Sequence, residues 1–286
     1  MILITGATGH LGSATIEALL KKLAPTQLAA LVRDESKAAA LAAKGVSIRV
    51  GSYDDTASLD QAMVGIEKVL LIAGTDEENR LRQHQNVVDA AKKAGVSFIA
   101  YTSRALKDRQ TLANRLMEGH FQTEDYIMAS GLRYALFRNI LYMDAIPLFV
   151  GDKVFESGIN LPAGQGRVAF ALRSEMGEAM AAVLAGNTNS SHIYQLTGSH
   201  AYSFSDIAAA LTDLSGKAVQ YAAPEKAAFE SQLRERGVPP VAVQRITGFM
   251  TDIANGQEEE TSPELEQLLG RKPATLREGL KMLYQL

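Results

Sequence analysis

Three glycines at the spacing G-x-x-G-x-x-G constrain this chain more than any other feature. They are Gly6, Gly9 and Gly12 in Thr5-Gly6-Ala7-Thr8-Gly9-His10-Leu11-Gly12, directly after the apolar run Ile2-Leu3-Ile4 and at the start of a helical period. Each part has a physical task. One glycine permits a tight turn, and another lets backbone approach a pyrophosphate. The third lets the helix pack on the sheet while its N-terminal amides and dipole face an anion. In the first strand–loop–helix unit of a chain, this context turns a weak pattern into a strong dinucleotide signal. The alternative is a glycine turn without a ligand.

The first 140 residues carry that unit onward. Short apolar runs lie at Ile2–Thr5, Gln27–Val32, Val46–Val50, Lys68–Ile72, Phe98–Thr102 and Arg133–Phe137, mostly without in–out alternation. Such runs read as strands buried on both faces. Between them run helical periods, with Leu11, Ala14, Ala18 and Leu19 on one face and later Val87, Ala90, Ala91 and Ala94, stopped by Gly95. The alternation predicts a parallel, doubly wound α/β sheet with helices on both sides. After Asn139 the rhythm breaks into loop signals at Gly151-Asp152, Ser157-Gly158 and residues 161–166. A helix over Ser174–Ala185, a strand over Ile193–Thr197 and a helix over Ser203–Ser215 follow. The remainder reads as helical, with Glu258-Glu259-Glu260 as a solvated stretch. The division expected is 1–145 as the nucleotide-binding domain and 146–286 as a smaller, mostly helical substrate-side region packed on it.

Composition removes several functions. The net charge is −3, with 17 Lys/Arg against 16 Asp/Glu in residues 1–150 and 12 against 16 in 151–286, so neither part offers the basic surface a nucleic-acid partner needs. There is no cysteine, which excludes disulfides, thiolate metal sites and a cysteine nucleophile. The five histidines (10, 84, 120, 192 and 200) have no close ligand spacing, so no metal is expected. No apolar run approaches the roughly 20 residues of a membrane helix, and no signal peptide is expected before the first strand. The expected partner is a small molecule rather than nucleic acid or membrane, the expected compartment the cytoplasm, and the reading allows a homodimer.

Arg33 lies immediately after the second strand, 21 residues beyond Gly12. An acidic residue near this place holds the ribose 2′-OH of NAD, whereas an arginine suits a 2′-phosphate through charge-assisted hydrogen bonds. Arg33 favours NADPH, and the adjacent Asp34 keeps NADH as the lesser alternative.

These segments resemble the NmrA-like family of atypical short-chain dehydrogenase/reductases. The likeness rests on Thr5–Gly12, Leu31-Val32-Arg33, residues 83–96 (QHQNVVDAAKKAGV) and residues 98–103 (FIAYTS). It continues through residues 130–139 (SGLRYALFRN), Tyr142, residues 162–166 (PAGQG) and residues 194–198 (YQLTG). Within the family the likeness is strongest to the bacterial NAD(P)H:quinone oxidoreductase and triphenylmethane reductase type. The resemblance implies a Rossmann-like domain with NADPH along the C-terminal edge of the sheet. It places cofactor contacts at Gly6, Ala7, Thr8, Gly9, His10, Leu11, Arg33, Ala73, Gly74, Thr75, Asn139, Ile140, Leu141, Tyr142, Met143, Asp144 and Arg173. The chain departs from its relatives at Ser52-Tyr53-Asp54-Asp55, where they usually show Asp-Tyr-x-Asp, and at Thr123-Glu124-Asp125, where Thr-Glu-Lys is common. Gln165 and Glu175 replace residues that are commonly Asp.

Ordinary short-chain reductases protonate a carbonyl with the tyrosine of Tyr-x-x-x-Lys. The chain contains no such motif; by position Leu116 and His120 replace its two residues. Quinone reduction survives that loss, because a strong acceptor can take its proton from water and needs chiefly orientation against the nicotinamide. The expected reaction is hydride transfer from NADPH to a quinone or similar planar acceptor. Asn139, Tyr142 and His120 are the expected acceptor-side residues, with His120 read as a hydrogen-bond donor titrating near neutrality or as a plain helix residue. The alternative is an NADP-binding redox sensor that turns nothing over.

Overall fold

The computed structural model describes residues 1–151, 153–187 and 190–286; Asp152 of the expected Gly151-Asp152 loop lies outside them. The backbone forms two compact units interleaved along the chain. The first comprises Met1–Arg104, Glu118–Asn139 and Arg173–Tyr194; the second comprises Ala105–Met117, Ile140–Leu172 and Gln195–Leu286.

The first unit is built on a seven-stranded sheet. Its strands are β1 (Ile2–Ile4), β2 (Leu28–Val32), β3 (Ser47–Val50), β4 (Lys68–Leu71), β5 (Phe98–Arg104) and β6 (Arg133–Asn139). They lie in the order β3-β2-β1-β4-β5-β6, with the strand His192–Leu196 beyond β6. All five pairings from β3 through β6 are parallel. This is the doubly wound, Rossmann-like order, whose direction reverses between β1 and β4. The central strands β1, β2 and β5 carry no alternation because both of their faces are covered, and they are buried along their whole lengths, whereas the edge strand β3 is half-buried to exposed. One face of the core joins Leu3, Leu31, Leu71, Ile99 and Leu136 to Val87, Val88 and Ala91. Each large aliphatic side chain so buried stabilises the fold by roughly 1.5–3 kcal/mol.

The helices of this unit are α1 (His10–Leu20), α2 (Ala39–Ala43), α3 (Thr56–Ala62), α4 (Arg80–Lys93) and α5 (Glu118–Ala129), followed much later by Arg173–Ala185. Gly95, at φ +74°, stops the α4 segment as its sequence predicts. The Arg173–Ala185 helix lies against α1 so closely that a Cβ on Gly177 would sit 2.8 Å from the Thr15 amide nitrogen. Arg138 on β6 grips Glu124 on α5 through two hydrogen bonds of 3.0 and 2.6 Å, satisfying a carboxylate that is almost wholly buried.

The second unit is mainly helical, with Phe204–Ser215, Lys226–Glu235, Pro240–Ala254, Glu264–Leu269 and Leu276–Tyr284. Reciprocal capping boxes, Ser203 with Asp206 and Thr275 with Glu278, open two of these helices. The loop 105–117 is latched to the end of the Pro240–Ala254 helix. The Asp252 carboxylate accepts the amides of Ala113 (2.6 Å) and Asn114 (3.0 Å), and Gln257 accepts that of Asp108 (2.9 Å). The acidic run 258–260 differs from its expectation at one residue. Glu258 is buried, and its carboxylate accepts the Leu141 amide at 3.3 Å, while Glu259 and Glu260 are exposed. A backbone partner replaces the water that the carboxylate gives up. Among the described residues no helix is long and apolar enough to cross a membrane.

Candidate functional site

A cleft of about 470 Å³ opens at the C-terminal ends of β1 to β4 in the first unit. Its lining is the chain that leaves each strand: Gly6, Thr8 and Gly9 after β1, Arg33 after β2, Gly51 to Asp54 after β3, and Ile72 to Asp76 after β4, with Gln83 from α4. Ligands of open α/β sheets bind in this place, where the strand order reverses.

The three glycines divide the work as their spacing requires. Gly6 takes φ +56°, a conformation that side chains disfavour. A Cβ on Gly12 would lie 2.3 Å from the Gly6 carbonyl oxygen, so only glycine lets α1 start against the loop. At Gly9 an added Cβ would meet only the Gly6 carbonyl oxygen, at 3.2 Å, leaving room over the helix N-terminus that a pyrophosphate can fill. The cleft therefore fits a dinucleotide. Gly6, Gly9 and Thr8 would hold the diphosphate and Arg33 a 2′-phosphate.

Asp34 is turned to another task. Its carboxylate accepts both the hydroxyl (2.6 Å) and the amide (3.0 Å) of Ser36, capping the short turn Glu35–Ala38. Those two bonds hold its carboxyl below the usual carboxylate range. Arg33 is exposed and lines the cleft, where it could reach the ribose edge of a bound dinucleotide.

The far wall of the cleft is anchored by side chains. Thr5 Oγ1 accepts the Ile72 amide at 2.9 Å, Thr102 Oγ1 accepts that of Ala73 at 2.9 Å, and His84 Nε2 accepts that of Gly74 at 3.0 Å. The Tyr53 hydroxyl donates to the Ile72 carbonyl and pairs with the Thr5 hydroxyl, and burial pushes this phenol above its ordinary range. Arg80 Nε reaches the Gly74 carbonyl at 3.4 Å.

Of the residues expected to touch cofactor, Gly6, Thr8, Gly9, Arg33, Ala73, Gly74 and Thr75 line this cleft. Ala7, Leu11 and Gly12 are buried beneath it as parts of the loop, and His10 is exposed at the first turn of α1. Asn139 ends β6 and is buried, and Arg173 opens its helix half-buried. Ile140 to Asp144 belong to the second unit, where Tyr142 pairs with Ala171 through a parallel bridge and the Met143 amide donates to the Ala171 carbonyl at 2.9 Å. None of these lines the cleft.

His120 departs from its expectation as a donor titrating near neutrality. It is buried, its Nδ1 pairs with the Tyr101 hydroxyl at 3.0 Å, and its imidazole sits well below its ordinary pKa because of burial and the nearby Arg80, Arg104 and His84. It stays neutral at physiological pH. Sequence reasoning missed Arg80, Gln83 and His84 as parts of the site. Their signal was present: His84 falls on the same helical face as Val87, Val88 and Ala91, a polar side chain in an apolar stripe.

Comparisons with known proteins agree with this geometry. The NmrA-like family model matches residues 1–283. Quinone oxidoreductase 2 of Escherichia coli (strain K12) is 37% identical over 287 residues, spanning 100% of this chain and 99% of that protein. The crystal structure of the NADPH-dependent quinone oxidoreductase QOR2 of E. coli complexed with NADPH superposes with a TM-score of 0.89 at 37% identity, covering 99% of this chain and 100% of that one. The Citrobacter sp. triphenylmethane reductase complexed with NADP(H) superposes at 0.91 with 34% identity, again covering 99% and 100%. The chain belongs to the NmrA-like family.

Proposed function

We propose that this protein is an NADPH-dependent oxidoreductase that passes hydride to quinones or similar planar acceptors. One observation carries the cofactor half of the reading: Arg33 stands at the end of β2 on the dinucleotide cleft while Asp34 is turned into its own cap. The acceptor half rests on relatives similar over the whole chain, which by name act on quinones and on triphenylmethane dyes. Both are extended conjugated ring systems.

When bound, the nicotinamide cofactor supplies the hydride. The chain's own contribution is orientation and charge. The α1 N-terminus and the Gly6–Gly9 backbone neutralise the diphosphate, and Arg33 selects the 2′-phosphate. The chain lacks a Tyr-x-x-x-Lys acid and His120 stays neutral, so the reduced acceptor oxygen draws its proton from water or a neighbouring group. Asn139 and Tyr142 are assigned to the acceptor, with His120 supporting the middle of β5 through Tyr101. The protein is assigned to the cytoplasm and allowed a homodimer, which fractionation and sedimentation test.

The test is NADPH consumption by the purified protein with a series of benzoquinones and naphthoquinones, with NADH run alongside. Acceptor-dependent consumption favouring NADPH is the expected outcome. NADPH binding without consumption by any acceptor replaces the enzyme with a nucleotide sensor.

A further inference from the structure

His84 is fully buried, so both of its ring nitrogens need partners inside the protein. They have them, and the partners fix where its proton sits. The Gly74 amide, 3.0 Å from Nε2, can only donate, so Nε2 carries no hydrogen. The proton is therefore on Nδ1, which faces the Thr123 hydroxyl oxygen at 2.9 Å. Thr123 in turn donates its own hydrogen to the Gly119 carbonyl at 2.7 Å. The bonds run in one direction, from the Gly74 amide through His84 and Thr123 to the first turn of α5. Tyr53 and Tyr101 pack edge-on against the imidazole, with centroids 6.1 and 5.3 Å away, so the ring has little freedom to turn.

The held segment is unusual in how its amides are satisfied. Ile72, Ala73 and Gly74 donate in succession to Thr5, Thr102 and His84, all side chains. Of these three acceptors, only His84 can exchange donor for acceptor by moving a proton.

We propose that His84 is a positioning residue for cofactor binding: as the Nδ1–H tautomer it holds the Gly74 amide, and with it the wall of the nucleotide cleft, in place. The proposal rests on the NADPH-binding reading above.

Two measurements test it. In the unliganded wild-type protein, imidazole ¹⁵N shifts report the tautomer directly. Nδ1 protonated with Nε2 bare is expected; the opposite tautomer, or a rapidly exchanging mixture, overturns the proposal. The second measurement is NADPH binding by titration calorimetry for His84→Gln and His84→Asn. The Gln side chain places an oxygen where Nε2 stands, whereas Asn reaches only as far as Nδ1. His84→Asn is expected to weaken NADPH about tenfold, the scale of one lost buried hydrogen bond, and His84→Gln by no more than about threefold. KM for NADPH follows the same order while kcat at saturating NADPH changes little. Equal losses in both variants, or none in either, make His84 a packing residue and overturn the proposal. A wild-type protein with the expected tautomer that binds no NADPH overturns the cofactor role together with the function, and the intact ¹⁵N pattern identifies that case.

Discussion

Two neighbouring loops line the cleft, and they are held by opposite means. The Gly6–Gly12 loop is shaped by backbone: a positive φ at Gly6 and an approach at Gly12 that no Cβ could enter. The Ile72–Gly74 loop is shaped by side chains, three of which stand in for the backbone acceptors that its amides lost when β4 ended. A loop of the first kind admits no Cβ where its backbone closes on itself, at Gly12. A loop of the second kind tolerates shape changes but not the loss of an acceptor.

The largest effect that would break this contrast is expected at Gly12. Gly12→Val drives carbon into the Gly6 carbonyl, and the loss is expected to be about 3 kcal/mol or more, read as a fall in thermal stability. A fully stable variant would show that the first loop can yield. Arg33→Glu sharpens the comparison by removing the phosphate grip while leaving both loops intact. NADPH affinity is expected to fall roughly 10- to 100-fold and NADH affinity far less, measured by titration of each. Equal losses would remove Arg33 from the 2′-phosphate.

Thr102→Val leaves the Ala73 amide without its acceptor at nearly constant volume. It is expected to cost about 1–2 kcal/mol in stability, measured by denaturant titration, and to weaken NADPH several-fold. The smallest effect is a pH dependence. Burial, reinforced by the Arg80 charge, holds His84 down to about 3. Between there and the ordinary histidine value near 6.5, the unfolded chain binds a proton that the folded chain refuses. Stability therefore rises with pH across this window and is lost as pH falls through it. His84 is expected to account for about 1.4 kcal/mol lost from pH 7.5 to pH 5.5. Denaturant midpoints at the two pH values, compared with His84→Gln, isolate that share.

The same contrast explains what could be read from the sequence. The glycine loop was legible because its determinants are seven consecutive residues at a spacing dictated by local backbone geometry. Strands β1, β2 and β5 were legible because strands buried on both faces need continuous apolar runs. The second loop was not legible, since its acceptors come from positions 67, 29 and 10 residues away from the amides they receive. The setting of His120 was illegible for a related reason. Its sequence neighbours, Gly119 and Phe121, say nothing of Arg80 and Arg104, which with burial disfavour its cationic form. Glu258 belongs with it, an acidic residue in an acidic run whose partner is the amide of Leu141, 117 positions away.

The interleaving of the two units bears on how such a protein can change over time. The chain passes from one unit to the other five times, at 104/105, 117/118, 139/140, 172/173 and 194/195. A gene fragment ending at 139 would encode every strand from β1 to β6 yet omit the helix whose Gly177 lies on the backbone of α1. It would therefore expose a flank of the helix that starts at the cleft. No single recombination event can transplant the first unit whole. Exchanging either unit for another would need five coordinated junctions, whereas substitutions within the chain need none.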